Sequence, residues 1–239
     1  MNLFRKIFWK ITLKKIHLIT CPTKNTLEYM KSLNLVDSSK IKLLYDPVLN
    51  IKEIKKKKKE HIDLKDYYLS VGRLTKQKNF MFLCEGFKNL VKENNQLKLV
   101  IAGNGEDNKK IRSFIKKNKL KDNIILLGYV DNIYPYFVNS KGFILTSLWE
   151  DPGFVLIEAF FCKKPILSSN SWPGPVELIN HLENGFVFEN KNLESFIQKF
   201  RDFDNYKDIR LITLNGLKSS KKFTLFSHYK NLNKLLSIN

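Results

Sequence analysis

The sequence predicts an α/β fold in which a parallel sheet is covered by helices on both faces. From residue 67 onward, short apolar runs typical of buried strands alternate with longer segments whose apolar residues recur at helical spacing. Strands that alternate with helices in this way form parallel sheets, because each crossover helix returns the chain to the same end of the sheet. Ligands bind such sheets at the carboxyl ends of the strands, so we expect the functional residues in the loops that follow them.

Before residue 67 the pattern is less regular. Apolar residues at positions 3, 4, 7, 8 and 11 fall on one face of a predicted helix, with Arg5, Lys6 and Lys10 elsewhere. Such a helix can lie on an anionic membrane surface, but packing against its own protein is more common and is what we expect here. Strands are then predicted over residues 16–21 and 40–45, with a helix over residues 23–33 between them.

A lysine-rich segment separates this region from the regular part of the chain. Residues 55–59 are consecutive lysines, and such a block of like charge is expected to stay solvated. The sequence therefore divides into residues 1–50, a basic linker at residues 51–66, an α/β domain at residues 67–203 and C-terminal helices at residues 204–239.

The predicted elements of the α/β domain follow from its apolar pattern. Strands are predicted over residues 67–72, 97–102, 123–127, 142–146, 165–168 and 186–188. Helices are predicted over residues 80–93, 108–119, 133–138, 176–179 and 193–200, together with one that carries Glu158.

The composition narrows the classes of function. With 43% apolar residues, the 239-residue chain can bury a core. Its formal charge of +19 favours anionic partners, although Lys, Asn and Ile are frequent throughout and compositional drift explains the charge equally well. The sequence contains no recognition module for nucleic acid, so we expect no nucleic-acid partner.

Cysteine and histidine usage argues against disulfide and metal frameworks. Cys21, Cys84 and Cys162 are scattered and form no Cys-x-x-Cys motif, which predicts reduced thiols in a cytosolic protein. The four histidines show no ligand spacing, so no metal site is expected. The apolar N-terminal stretch is interrupted by lysines and does not resemble a signal peptide.

Two acids flank the start of the helix that carries Glu158. Glu150 lies in the preceding loop, and Glu158 is the only polar residue in the run 154–162, where an unbonded carboxylate would be costly. Both carboxylates and the first N–H groups of the helix, at Gly153, Phe154 and Val155, can face one crevice. That arrangement suits a ligand with hydroxyl pairs and a phosphate. A buried Arg or Lys paired with Glu158 is an equally good explanation.

Cations follow the first strand of the domain. The loop after residue 71 contains Gly72, Arg73 and Lys78 just ahead of a helix, an arrangement suited to binding an anion. Arg73 and Lys78 are candidates for holding a diphosphate, and the alternative is a solvated basic loop. The glycines at positions 103 and 105 follow the second strand but lack the full dinucleotide-binding pattern.

Taken in order, the motifs resemble a known family. They are Val71-Gly72-Arg73-Leu74-x-x-x-Lys78-Asn79, Ala102-Gly103-x-Gly105, Leu127-Gly128-Tyr129-Val130, the pair Glu150 and Glu158, Gly174-Pro175-x-Glu177 and Asn184-Gly185. Over residues 67–200 the chain resembles the nucleotide-sugar-binding, C-terminal half of retaining GT-B glycosyltransferases of the glycosyl transferases group 1 type. Such enzymes build bacterial surface polysaccharide, lipopolysaccharide and glycolipids.

The resemblance implies a donor site and roles for its residues. Arg73 and Lys78 would hold the diphosphate of a nucleotide-diphosphate sugar and offset charge on the departing nucleotide. Glu158 would bond the ribose hydroxyls, and Glu150 would hold the donor sugar. The implied catalytic residues are Arg73, Lys78 and Glu150. The implied donor-binding residues are Gly72, Arg73, Lys78, Val130, Glu150, Gly153, Phe154, Val155 and Glu158. No cofactor and no metal is implied.

The resemblance also implies a missing part. Enzymes of this type carry a complete N-terminal domain that binds the acceptor, whereas residues 1–50 resemble only its remnant and the connection to the second domain. The expected partners are the nucleotide-sugar donor, a glycan or lipid-linked acceptor, and a chain that supplies the N-terminal domain. The expected location is cytoplasmic, with peripheral contact at the inner face of a membrane. An inactive or partner-dependent nucleotide-sugar-binding remnant is the alternative.

Overall fold

The computed structural model of the protein describes residues 3–13 and 15–237, whose strands form two parallel sheets. The strands are β1 (Ile19–Cys21), β2 (Ile41–Leu43), β3 (Tyr68–Val71), β4 (Leu99–Ala102), β5 (Ile124–Gly128), β6 (Gly142–Leu145), β7 (Ile166–Ser169) and β8 (Phe186–Phe188). β1 and β2 form a small sheet, and the other six form a large sheet in the order β5-β4-β3-β6-β7-β8. The predicted α/β class with a parallel sheet is confirmed.

Helices connect the strands and cover both faces of the large sheet. They are α1 (Leu3–Leu13), α2 (Lys24–Ser32), α3 (Ile51–Lys57), α4 (Phe80–Glu93), α5 (Asn108–Lys117), α6 (Tyr134–Asn139), α7 (Phe154–Phe161), α8 (Gly174–Leu178), α9 (Leu193–Asp204), α10 (Ile209–Ser220) and α11 (Leu225–Leu236). Most differ from the predicted ranges by a few residues, while α4 and β8 match them to the residue. No described helix is both long and apolar enough to cross a bilayer.

The core lies on both faces of the large sheet. All four residues of β4 are buried, as are those of β6 and β7, which is typical of parallel strands covered by helices on two sides. One face packs against α4, α5 and α9, and the other packs against α6 and α7. The cysteines at positions 21, 84 and 162 are buried and unpaired, as the scattered spacing predicts.

The order of strands creates a crevice beside β3. The chain moves outward from β3 to β4 and β5, and then crosses back to β6 on the other side. Pairing between β3 and β6 is limited to Tyr68 with Gly142 and Leu69 with Phe143. The loops after these two strands therefore meet at the switch point, which is where α/β sheets of this kind bind ligands.

The lysine-rich segment begins with a helix where the sequence predicts a linker, while Lys55, Lys56 and Lys59 are exposed as expected of a solvated block. Residues 51–57 form helix α3, capped by the side chain of Asn50, and Ile54 is buried against the α6–α7 face of the sheet. Lys58 also packs, with its ammonium 4.6 Å from the centre of the Phe161 ring. Ile54 is a single isoleucine among charged residues and forms no periodic apolar pattern. Its burial therefore cannot be predicted from the sequence pattern.

Helix α1 does not pack as expected. Its described apolar side chains Phe4, Ile7, Phe8, Trp9 and Ile11 are exposed, and only Leu13 at its end is buried. The side chains of Leu3 and Lys6, which belong to the predicted pattern, lie outside the described part of the chain. The prediction that this face packs on its own protein is therefore wrong for the described residues. Helix α1 precedes a sheet with two described strands, which offer little surface to cover it.

Candidate functional site

The loops after β3 and β6 are tied together at the switch point. The backbone N–H of Leu148 donates to the carbonyl of Gln77 at 2.7 Å, and the Thr146 hydroxyl donates to the carbonyl of Lys78 at 3.1 Å. The side chain of Gln77 reaches the carbonyl of Trp149 at 3.0 Å. These bonds fix the position of Lys78 relative to the loop that carries Glu150.

Lys78 and Glu150 form an ion pair at the mouth of this crevice. The Lys78 ammonium bonds Glu150 Oε1 directly, and the buried Ser147 hydroxyl donates to the same oxygen at 2.6 Å. Glu150 is 5% exposed and its partner is mostly buried. The sequence predicts that both residues contact a ligand; the structure brings them together as a pair of opposite charges, 72 positions apart in the chain.

A cavity of about 270 Å³ opens beside the pair. Its walls come from the ends of β3, β4 and β5, and are formed by Val71, Gly72, Arg73, Ala102, Gly103, Asn104, Tyr129, Val130 and Ile133. Among the described residues Arg73 makes no ion pair, and its side chain is exposed. The stem of Lys78 lies against Gly72, about 3.1 Å from where a β-carbon would stand, so the cavity and the ion pair adjoin. The exposed guanidinium of Arg73 gives this cavity a cationic side suited to an anion.

Close approach of the β3 and β4 loops shapes the cavity. Gly103 has φ +140°, and a β-carbon there would lie 1.9 Å from the carbonyl oxygen of Gly72. The N–H of Gly103 donates to the carbonyl of Gly128 at 2.7 Å, and the N–H of Gly72 donates to the carbonyl of Ala102 at 3.0 Å. Only glycine fits at position 103, because any side chain would collide with the backbone of Gly72. This contact explains the glycine after the second strand, and no dinucleotide-binding motif is needed to account for it.

Glu158 lies one turn into α7 and is partly buried. The phenol of Tyr134, on α6, donates to Glu158 Oε1 at 2.9 Å. Burial raises the pKa of the Glu158 carboxyl, and the Tyr134 hydrogen bond and the charge of Lys57 oppose that rise. In the described part of the chain Glu158 forms no ion pair, so the alternative of a buried Arg or Lys partner is not what the structure contains.

The start of α7 completes the crevice. Gly153 adopts φ +97° ahead of the helix, and a β-carbon there would lie 3.4 Å from the β-carbon of Glu150. The side chain of Phe154 is about half exposed and Val155 is partly buried. The start of α7 therefore lies close to Glu150, and the role of its first N–H groups in binding a ligand stays a prediction.

The N-terminal region is fastened to the loops of the crevice. Glu177 Oε2, on α8, accepts from the backbone N–H groups of Lys24 at 2.6 Å and Asn25 at 3.1 Å, at the start of α2. Asp151, next to Glu150, accepts from the hydroxyl of Thr26 at 2.7 Å. Carboxylates are favourable partners for a helix N-terminus, so these contacts hold α2 against the crevice.

The structure gives different surroundings to the predicted site residues. Gly72, Arg73 and Val130 line the cavity, and Lys78 pairs with Glu150 beside it. Gly153, Phe154 and Val155 lie at the start of α7, and Glu158, further along α7, accepts a hydrogen bond from Tyr134. Ser147 and Tyr134 are not among the residues predicted from the sequence. Ser147 lies in the loop after β6, where functional residues are expected, so its position is a usable signal. Nothing in the sequence indicates the contact between Tyr134 and Glu158.

No described group of His, Cys, Asp and Glu side chains is arranged to hold a metal ion. The charged groups at the cavity and beside it are Arg73, Lys78 and Glu150.

The chain is similar to proteins that transfer sugars. A curated relative from Campylobacter jejuni, N-acetylgalactosamine-N,N'-diacetylbacillosaminyl-diphospho-undecaprenol 4-alpha-N-acetylgalactosaminyltransferase, is 30% identical over 222 residues. That match covers 92% of this chain but only 60% of the relative, so the chain spans less than two thirds of its length.

Solved structures share the fold. Anabaena HepE in complex with UDP superposes with a TM-score of 0.80 and 16% identity, covering 99% of this chain and 69% of that one. A mutant of Staphylococcus aureus TarM in complex with Fondaparinux, alpha-GlcNAc-glycerol and UDP has a TM-score of 0.76 and 23% identity, covering 99% and 46% of the two chains. The large parallel sheet with helices on both faces is thus a fold that this chain shares with both structures.

The family model agrees with the structural match and covers most of the sheet. It spans residues 51–212, from the start of α3 into α10, and so contains both loops of the switch point. With more than half of the chain matched, the protein belongs to the family described as Glycosyl transferases group 1.

Proposed function

We propose that this chain is the donor-binding part of a retaining glycosyltransferase that moves a sugar from a nucleotide-diphosphate sugar to a glycan or lipid-linked acceptor in the synthesis of cell-surface polysaccharide or lipopolysaccharide. The observation that carries the proposal is the exposed Arg73 guanidinium on a cavity that adjoins the Lys78–Glu150 pair at the switch point. Family membership supports it, as does the Campylobacter jejuni relative, whose name gives a diphospho-undecaprenol-linked acceptor.

The proposal gives each part of the crevice a role. Arg73 and Lys78 hold the diphosphate and stabilise the charge that develops on the departing nucleotide. Glu150, released from Lys78, accepts hydrogen bonds from hydroxyls of the donor sugar, and the N–H groups of Gly153, Phe154 and Val155 donate hydrogen bonds to the donor. Glu158 bonds the ribose, and the backbone at Gly72 and Val130 borders the nucleotide. Several related folds were solved with UDP, which supports a nucleotide of this class here.

Acceptor recognition requires more protein than the described chain provides. We infer that a further α/β domain covers α1 and extends the small sheet of β1 and β2, and that residues 1–50 are a remnant of that domain. The exposed apolar face of α1 and the presence of only two described strands in the small sheet support this inference. The division into remnant, 51–66 segment, donor domain at 67–203 and C-terminal helices is part of the same proposal.

Peripheral attachment to the inner face of a membrane is also part of the proposal. The formal charge of +19 supports it, because a basic surface is attracted to anionic lipid. Flotation with vesicles that contain anionic lipid checks this proposal, and the association should be lost at high salt. Absence of flotation at low salt would contradict it.

Replacement of Arg73 by alanine is expected to weaken nucleotide binding about tenfold or more, because a hydrogen bond to a charged group is lost. Calorimetric titration with uridine, guanosine, adenosine and cytidine diphosphates and their glucose or N-acetylhexosamine derivatives measures the effect. Lys76→Ala is the matched control, since Lys76 is an exposed cation of the same loop outside the cavity wall.

Equal losses in the two variants would indicate a general effect of charge and count against the assigned role of Arg73. If the folded wild-type protein binds none of these nucleotides, the proposed donor site is wrong. Transfer of sugar to a lipid-linked acceptor by this chain alone would show that the additional domain is not required for activity.

A further inference from the structure

Glu158 is held by a side chain to which neither the family motifs nor the proposed function assigns a part. Tyr134 is 8% exposed, and its phenol donates to Glu158 Oε1 at 2.9 Å. The ring is packed in the apolar cluster that also contains Ile54, Phe137 and Ile157. A tyrosine fixed in this way has little freedom to move, so its hydroxyl defines where one oxygen of the carboxylate lies.

Tyr134 also lies next to the proposed nucleotide cavity. The preceding residue, Ile133, lines that cavity together with Val130. Glu158 is partly buried, and the one hydrogen bond described for its carboxylate is the bond that Oε1 accepts from the phenol. A carboxylate can accept about four hydrogen bonds, and the single bond from Tyr134 leaves capacity for a pair of donors.

We propose that Tyr134 is a positioning residue for ribose recognition: its phenol orients the Glu158 carboxylate so that the remaining acceptor sites meet the two ribose hydroxyls of the donor nucleotide. This inference rests on the proposed function, because it takes Glu158 as the ribose-binding group. It adds a residue that does not touch the nucleotide and acts through Glu158.

The charged groups around Glu158 determine how ribose binding should depend on pH. Tyr134 faces it from α6, Lys57 and its partner Glu53 lie on α3, and Cys162 is on its own helix α7. Burial raises the pKa of Glu158, and the phenol hydrogen bond and Lys57 lower it. Loss of the phenol removes one of the two effects that lower the pKa of Glu158, so this pKa rises further. Ribose binding needs the ionised carboxylate, and on acidification it is therefore lost at a higher pH than in the wild type.

Tyr134→Phe tests the inference, with Tyr67→Phe as the matched control. Tyr67 is also buried, but its phenol donates to the backbone carbonyl of Tyr136 at 2.8 Å and not to Glu158. Affinity is measured by calorimetry between pH 5 and 8 for the diphosphate that the wild type binds best among those of uridine, guanosine, adenosine and cytidine, and for its 2′,3′-dideoxy analogue. The ratio of the two affinities isolates the ribose, because phosphate ionisation is common to both ligands.

Tyr134→Phe is expected to reduce the ratio of ribonucleotide affinity to dideoxynucleotide affinity by about three- to tenfold at neutral pH. This is the size of effect expected when one hydrogen bond that orients the acceptor is lost. It is also expected to shift the midpoint of the ratio's pH dependence upward. Glu158→Gln should lower the ratio and remove the pH dependence, while Tyr67→Phe should leave both unchanged.

Each other outcome overturns a defined part of the argument. If Glu158→Gln lowers the ratio but Tyr134→Phe leaves the ratio and its midpoint at wild-type values, Tyr134 has no positioning role and the proposed function stands. If Tyr134→Phe and Tyr67→Phe lower affinity for both ligands equally, the phenol is structural only. If the wild type binds no diphosphate, or has no preference for the ribonucleotide, both this inference and the ribose role of Glu158 are wrong.

Discussion

Lys78→Met is expected to lower the free energy of unfolding by about 3–5 kcal/mol, because removal of one partner leaves the other charge buried without compensation. Glu150 is 5% exposed, and the Lys78 ammonium is the cation that pairs with it. The Ser147 hydroxyl remains as a neutral donor to the same oxygen and cannot replace the ammonium. Urea denaturation followed by circular dichroism measures the change.

The double variant Lys78→Met/Glu150→Gln separates the ion pair from the packing of the lysine stem. Replacing both charges should restore most of the lost stability, since no unpaired charge remains in the crevice. Lys76→Met, an exposed change in the same loop, should stay within about 0.5 kcal/mol of wild type. A loss of less than about 1 kcal/mol for Lys78→Met, or a double variant no more stable than the single one, would mean that the pair behaves as a solvated surface contact.

Gly103→Ala is expected to cost about 3 kcal/mol or more and to abolish binding in the cavity, because the new methyl group would collide with the backbone of Gly72. The β-carbon would lie 1.9 Å from that carbonyl oxygen, at a φ of +140° that other residues rarely adopt. The two loops would have to separate, and they carry the cavity wall and Lys78. Thermal denaturation and nucleotide titration of the same sample report both effects.

Gly128→Ala is the matched control for this change. Gly128 also has a positive φ, of +76°, but a β-carbon there would meet no atom within 4 Å. Its cost should be limited to the strain of the left-handed conformation, about 1–2 kcal/mol. Equal destabilisation by the two variants would show that backbone strain, and not the contact between the loops, decides the role of Gly103.

The sequence predicts the fold because the periodicity of its apolar residues is strong. In α4 the buried residues recur at helical spacing along the helix, and in β4 and β6 every residue is apolar or glycine. These signals are local, so one sequence is sufficient to read them. The position of the site follows from the same reading, because parallel strands bring their carboxyl ends to one edge.

Contacts between distant elements are harder to predict. The Lys78–Glu150 pair depends on the order of strands, which places β6 beside β3, and periodicity does not determine that order. Ile54 is a single buried residue among lysines, and the bond from Tyr134 to Glu158 depends on how α6 and α7 face each other. The exposed face of α1 is the opposite case: a good amphipathic pattern, but no described element positioned to cover it.

A crystal structure of the protein with its tightest-binding nucleoside diphosphate is the most direct measurement of the donor site. We expect the diphosphate to contact Arg73 and the Lys78 ammonium, with the ribose hydroxyls against Glu158 and the base near Val130. A nucleotide bound away from the ends of β3 to β6, with Lys78 still paired to Glu150 and Glu158 still bonded only to Tyr134, would contradict the proposed donor site.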